Sequence, residues 1–122
     1  MSEFVNFEIS KRLKDLGYNV PFFFFYRADD PRIHHAMVTI PLVYGKTVDN
    51  EVVIAPTISQ VLDWLRKRDI MVEIIPSLVD DGTWTFSFRI QTKTFYDRST
   101  KDYNSYEEAA FVCIEYVLNN LI

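Results

Sequence analysis

The chain has 122 residues, of which 48% are hydrophobic, 16% aromatic and 25% charged, and its net charge is −4. This is the size and composition of one globular domain that buries a core without metal or disulfide, and it excludes the disordered class. The negative balance argues against non-specific binding to nucleic acid or to an anionic membrane surface.

Cys113 is the only cysteine, so no internal disulfide forms and nothing points to secretion. The opening MSEFVNFEISKRLK has acids at Glu3 and Glu8 and no basic region followed by an apolar run, so no signal peptide is expected. No apolar run approaches the roughly 18 residues that cross a bilayer.

Residues 3–16 read as a helix. Val5, Ile9, Leu13 and Leu16 form one stripe with Phe4 beside it, and Lys11, Arg12 and Lys14 stand near the end where cations suit the dipole. Gly17 supplies the stop. The run PFFFFYR then predicts a strand over 22–27, with Phe22, Phe24 and Tyr26 on one face and Phe23 and Phe25 on the other. Aromatics on both faces suit a central strand covered on both sides. Asp29, Asp30 and Pro31 close it. Residues 37–44 predict a second strand, which Pro41 confines to an edge or a bulge. Residues 45–50 read as a turn and 52–54 as a short strand.

The second helix is expected over 57–68. Thr57 and Gln60 make a capping box, and Ile58, Val61, Leu62 and Leu65 make the stripe. A strand over 71–75 follows, then a hairpin turn at Asp81-Gly82, then a partner strand over 84–90. There Trp84, Phe86, Phe88 and Ile90 alternate with Thr85, Ser87 and Arg89, the pattern of a sheet with one covered and one wet face. Residues 93–104 read as a polar loop. Residues 105–118 predict a last helix, capped by Ser105 and Glu108, with Ala109, Val112, Cys113, Tyr116 and Val117 inward. The order α-β-β-(β)-α-β-β-α predicts an α+β fold: one two-layer domain over 1–122, with a mainly antiparallel sheet of four or five strands and about three helices.

Chemistry is thinly signalled. His34 and His35 are adjacent and have no cysteine near them, so the spacing predicts neither a metal site nor a cofactor. Cys113 falls on the apolar stripe of a helix, where a thiol acts as a small hydrophobe. The acid pairs Asp29-Asp30, Asp80-Asp81 and Glu107-Glu108 lie where turns and helix starts favour carboxylates. Three isolated glycines make no phosphate loop. No catalytic residue is assigned. Arg66, Lys67 and Arg68 close the second helix and, with Lys11, Arg12 and Lys14, offer a candidate nucleic-acid contact. The strand WTFSF lacks the glycines and basic residue of an RNA-recognition signature.

The block APTISQVLDWLRKRDIMVEIIP, the strand WTFSFRI, the terminal YNSYEEAAFVCIEYVLNNLI and the opening LKDLGYNVPF together cover most of the chain. In these the chain resembles small proteins of no assigned activity encoded in bacterial phages and integrated mobile elements. The resemblance implies a bacterial cytoplasmic or phage-associated setting, and it carries over no functional residue.

The leading expectation is a non-enzymatic accessory protein that binds another macromolecule, a host or phage protein or a second copy of itself. Phe23 and Phe25 are the candidate interface, because the first helix or a second subunit must cover them. Two alternatives stand: a nucleic-acid or nucleoprotein binder using Arg66, Lys67 and Arg68, and an acidic inhibitor of a host defence protein. A small enzyme would require His34 or His35 beside a carboxylate in a polar pocket.

Overall fold

A computed structural model describes residues 4–18, 22–27, 30–40 and 52–122, except the side chains of 22, 23, 27, 30–40 and 52. The fold is α+β, and every described strand pairing is antiparallel. Among the described residues three helices, α1 (Phe7–Asp15), α2 (Ile58–Arg66) and α3 (Tyr106–Asn120), accompany six strands. These are β1 (Phe22–Arg27), β2 (Asp30–Ile40), β3 (Val52–Ile54), β4 (Met71–Leu78), β5 (Trp84–Gln91) and β6 (Tyr96–Arg98). The strands form two sheets, ordered β2-β1-β3 and β4-β5-β6, where the sequence predicts one. The chain divides accordingly into two compact units, Phe4–Thr57 and Ile58–Ile122.

In the Phe4–Thr57 unit, α1 begins four residues later than its apolar stripe suggests. Asn6 is a strong N-cap whose Oδ1 accepts the Ile9 amide at 2.9 Å. Phe4 is instead extended, bridged to Thr57, and the Val5 amide donates to the Pro56 carbonyl at 3.0 Å. β1 is the central strand, with Phe25 opposite His34 of β2 and Ile54 of β3. β2 starts at Asp30, well before the predicted 37, so the histidine pair lies within a strand and not on a loop. The turn expected at 45–50 and the interruption at Pro41 lie outside the described residues. Tyr26, Val53 and Ala55 form the buried centre, and Phe4, Phe7 and Phe24 pack against it. The Phe4 and Phe24 rings stand 5.0 Å apart and those of Phe7 and Tyr26 5.5 Å, tilted and edge-on as ring quadrupoles prefer.

In the Ile58–Ile122 unit, the β4–β5 hairpin turns at Asp81-Gly82 as expected. Gly82 takes φ +85°, and Asp81 accepts the Thr83 amide at 3.0 Å and its hydroxyl at 2.6 Å. The Thr83 hydroxyl and amide hold the Asp81 carboxyl below the usual carboxylate range. β4 runs on through Pro76 to Leu78, and β6 forms inside the predicted loop. β6 takes its structure from β5: Arg89, Ile90 and Gln91 pair with Arg98, Asp97 and Tyr96. α2 and α3 pack on the sheet. Phe88 and Ile90 are buried on the helix side, together with Ala109, Cys113, Ile114 and Val117 of α3. Ser105 caps α3, its Oγ accepting the Glu108 amide at 3.1 Å.

Helices α1 and α2 end alike. In α1 the Tyr18 amide reaches the Leu13 carbonyl and the Gly17 amide that of Lys14; in α2, Ile70 reaches Leu65 and Asp69 reaches Arg66. Each pair is a Schellman stop whose apolar ends, Leu13 and Tyr18 in one and Leu65 and Ile70 in the other, are buried. Gly17 takes φ +86° without cost, whereas Asp69 takes φ +64° with a Cβ. Asp69→Gly is therefore expected to raise stability by about 0.5–1 kcal/mol in urea unfolding, with no gain from Asp69→Ala. The Lys93–Asp69 ion pair lost in both variants is solvent-exposed and contributes little.

Candidate functional site

The covered face of the β4-β5-β6 sheet ends before the strands do. Even-numbered residues of β4 and β5 share the helix side with Ile90. Along β5 the burial falls from Ile90 and Phe88 through half-buried Phe86 to Trp84, which is 54% exposed. Opposite Trp84 stands Leu78, 61% exposed. Trp84 thus departs from the expectation that the whole apolar face is covered: the turn end of the hairpin carries it past its cover. The two residues face each other on neighbouring strands, close enough to act as one apolar surface. On the opposite face Glu73 and Arg89 form an ion pair across the strands, with Met71, Gln91 and Tyr96 in the next row.

The basic triplet is compensated in part. Arg66 and Lys67 both pair with Asp63, Lys67 at 3.3 Å. The hydrogen bond from Lys67, with the Arg66 charge beside it, holds the Asp63 carboxyl below its usual range. Arg68 lies over the Trp64 ring, 4.3 Å from its centroid, a cation–π contact that leaves its charge in place. Arg66, Lys67 and Arg68 are all exposed, but they sit beside one carboxylate and one ring. Asp63 stands three and four residues before Arg66 and Lys67, a helical pairing the sequence displays.

Of the candidate interface, Phe25 is half-buried in β1, and the side chain of Phe23 lies outside the described residues. The side chains of His34 and His35 also lie outside them, and so does Asp29. Cys113 is fully buried, and removal from water pushes its thiol up to about 12, so it holds no thiolate at neutral pH. Glu107 and Glu108 occupy the first turn of α3. Among the described residues no cluster of three metal-ligating side chains occurs, and no helix is long and apolar enough to cross a membrane.

Sequence reasoning missed Leu78 and the outward edge of β4. Pro76 was the available signal, since proline inside an apolar run marks a strand at the border of a sheet. No known family, curated protein or solved structure matches the chain.

Proposed function

We propose that this is a non-enzymatic accessory protein, of phage or mobile-element origin, that acts by binding protein and associates with a second copy of itself. Its setting is the bacterial cytoplasm or the phage particle. The observation that carries the reading is the cross-strand pair Leu78 and Trp84, exposed at the turn end of an apolar face that is buried at its other end, at Phe88 and Ile90. A large aromatic held on a hairpin loses little conformational freedom on contact, which is why tryptophan so often dominates interface energetics. A self-complementary apolar patch favours a twofold dimer.

The test is the mass in solution of the full chain at micromolar concentration. The expected result is a concentration-dependent dimer, weakened about tenfold or more by Trp84→Ala. Leu78→Ala should weaken it less, and both variants should keep their stability within about 0.5 kcal/mol, since neither side chain is in the core. A single-chain mass at every concentration, or dimers indifferent to both changes, would remove the self-association.

Nucleic-acid binding through Arg66, Lys67 and Arg68 is the weaker alternative, because the Asp63 carboxylate offsets one of the three charges and the chain as a whole is acidic. It requires binding to single- or double-stranded probes that falls steeply with salt.

A further inference from the structure

β4 borders its sheet, and the hydrogen bonds around it fix which of its groups face outward. The Val79 amide donates to the Thr83 carbonyl at 2.9 Å, so odd-numbered residues bond to β5. On the far side of β5, Phe86 exchanges both backbone bonds with Tyr103, at 2.8 and 2.7 Å, which requires the same parity. The register between β4 and β5 is unbroken, so Val72, Ile74, Pro76 and Leu78 turn their backbone groups outward. Among the described residues no strand pairs with this edge. Its donors are the amides of Val72, Ile74 and Leu78, since proline has none.

This edge is complementary to itself. In an antiparallel twofold pairing, outward residues meet only outward residues, so the axis passes at the level of one residue of β4. With the axis at Ile75, Val72 of each copy exchanges both bonds with Leu78 of the other, and each Ile74 amide donates to a Pro76 carbonyl. Every outward donor is then used, and the donor missing at Pro76 leaves only the Ile74 carbonyl to water. Other axes do worse. At Glu73, like charges stand directly opposite, which destabilises a strand pair, and Leu78 lies beyond the overlap. At Ile74, Leu78 meets Ile70, whose amide is already bonded to Leu65. At Pro76 or Ser77, Val72 runs past the end of the partner strand.

Charge and side chains favour the same axis. Arg66, Lys67 and Arg68 lie just before β4 and keep a positive excess beside Asp63, while the exposed Asp80 and Asp81 lie just after it. Antiparallel pairing about Ile75 brings each acidic turn to the partner's basic helix end. The exposed Leu78 comes opposite Val72, beside the groove that Leu62, Met71 and Val72 line together with Ser59, Asp63 and Arg66. On the other face Ile75 meets its own copy, and Glu73 stands opposite Ser77, so its ion pair with Arg89 is undisturbed.

We infer that two copies of the chain join through β4, antiparallel about Ile75, merging their β4-β5-β6 sheets into one and setting each acidic turn against the other's basic helix end. This rests on the reading of the chain as self-associating and gives that association its geometry. Trp84, across the hairpin from Leu78, flanks the same contact.

The test is disulfide trapping in the full chain, where Cys113 is buried and takes no part. Ile75 and its copy form a non-hydrogen-bonded pair, with Cα atoms about 4.5 Å apart and within reach of a disulfide. Ile75→Cys should link to itself in air about tenfold or more faster than Glu73→Cys or Ser77→Cys alone, whose copies stand roughly 13 Å apart along the strand. Mixing Glu73→Cys with Ser77→Cys should restore fast linking, because these two positions are opposite. In the unsubstituted protein, dimerisation should slow exchange of the Val72, Ile74 and Leu78 amides about tenfold or more and leave that of Ile75 little changed. Asp80→Lys should weaken the dimer about tenfold by placing like charges together. Self-linking of Glu73→Cys as fast as that of Ile75→Cys would overturn the proposal. So would a mixture that links no faster than its parts, outward amides indifferent to concentration, or a dimer unchanged by Asp80→Lys. A Trp84-dependent dimer that fails these tests removes the β4 geometry alone, whereas a single-chain mass removes both readings.

Discussion

Replacing Ile90 by alanine is expected to cost about 2–5 kcal/mol of unfolding free energy, a large share of what a domain of this size has. Ile90 has no exposed surface, and its neighbours across the strands are Val72 and Asp97. It sits where α3 packs on β5, so shrinking it removes apolar contact and leaves a cavity that the sheet cannot close without breaking register. Ile90→Val should cost only about 0.5–1.5 kcal/mol, and the ratio of the two separates cavity formation from loss of strand propensity. Both tryptophans, Trp64 and Trp84, lie in the Ile58–Ile122 unit, so fluorescence during urea unfolding reports this unit directly. A loss below about 1 kcal/mol would mean that Ile90 is not at a packed centre.

In the other unit the largest single polar effect is expected at Tyr26. Its hydroxyl donates to the Val5 carbonyl at 2.6 Å, and both residues are buried. Tyr26→Phe leaves that carbonyl without the phenol and should cost about 1–3 kcal/mol. The Val5 amide, bonded to Pro56, offers a local readout by hydrogen exchange. A pH signature accompanies the loss. Removal from water raises the Tyr26 phenol above its usual value near 10, because the fold disfavours the phenolate. With the folded pKa above the unfolded one, the contribution is fully present below the unfolded value, and it is lost as pH rises through the folded one. The parent should therefore lose stability on the alkaline side faster than Tyr26→Phe does. Parallel alkaline profiles would contradict this.

These two residues belong to parts of the fold that the sequence displays well. Alternation in 84–90 marks β5 and its buried face, Ser105 and Glu108 mark the start of α3, and Asp81-Gly82 marks the hairpin. Elsewhere the deciding interactions are distant in sequence. Phe4 and Val5 leave the helical stripe because Thr57 and Pro56 pair with them in extended form. Residues 96–98 read as loop, and become a strand only because β5 offers them a free side. Asp69 stands where glycine is the usual stop, so the end of α2 reads two residues too long. The candidate surfaces were less legible. The exposure of Trp84 depends on where the helices end across the sheet, which periodicity does not encode. The partial offset of the basic triplet by Asp63 was legible, since the acid stands three and four residues before Arg66 and Lys67.

The depth of Cys113 makes the chain its own clock. A thiol with no exposed surface and a pKa pushed up to about 12 reacts with an alkylating reagent only when α3 lifts from the sheet. As the sole cysteine, it gives a single labelling event per molecule. The labelling rate at neutral pH thus counts openings of the last helix, with no engineered probe and no change to the surface.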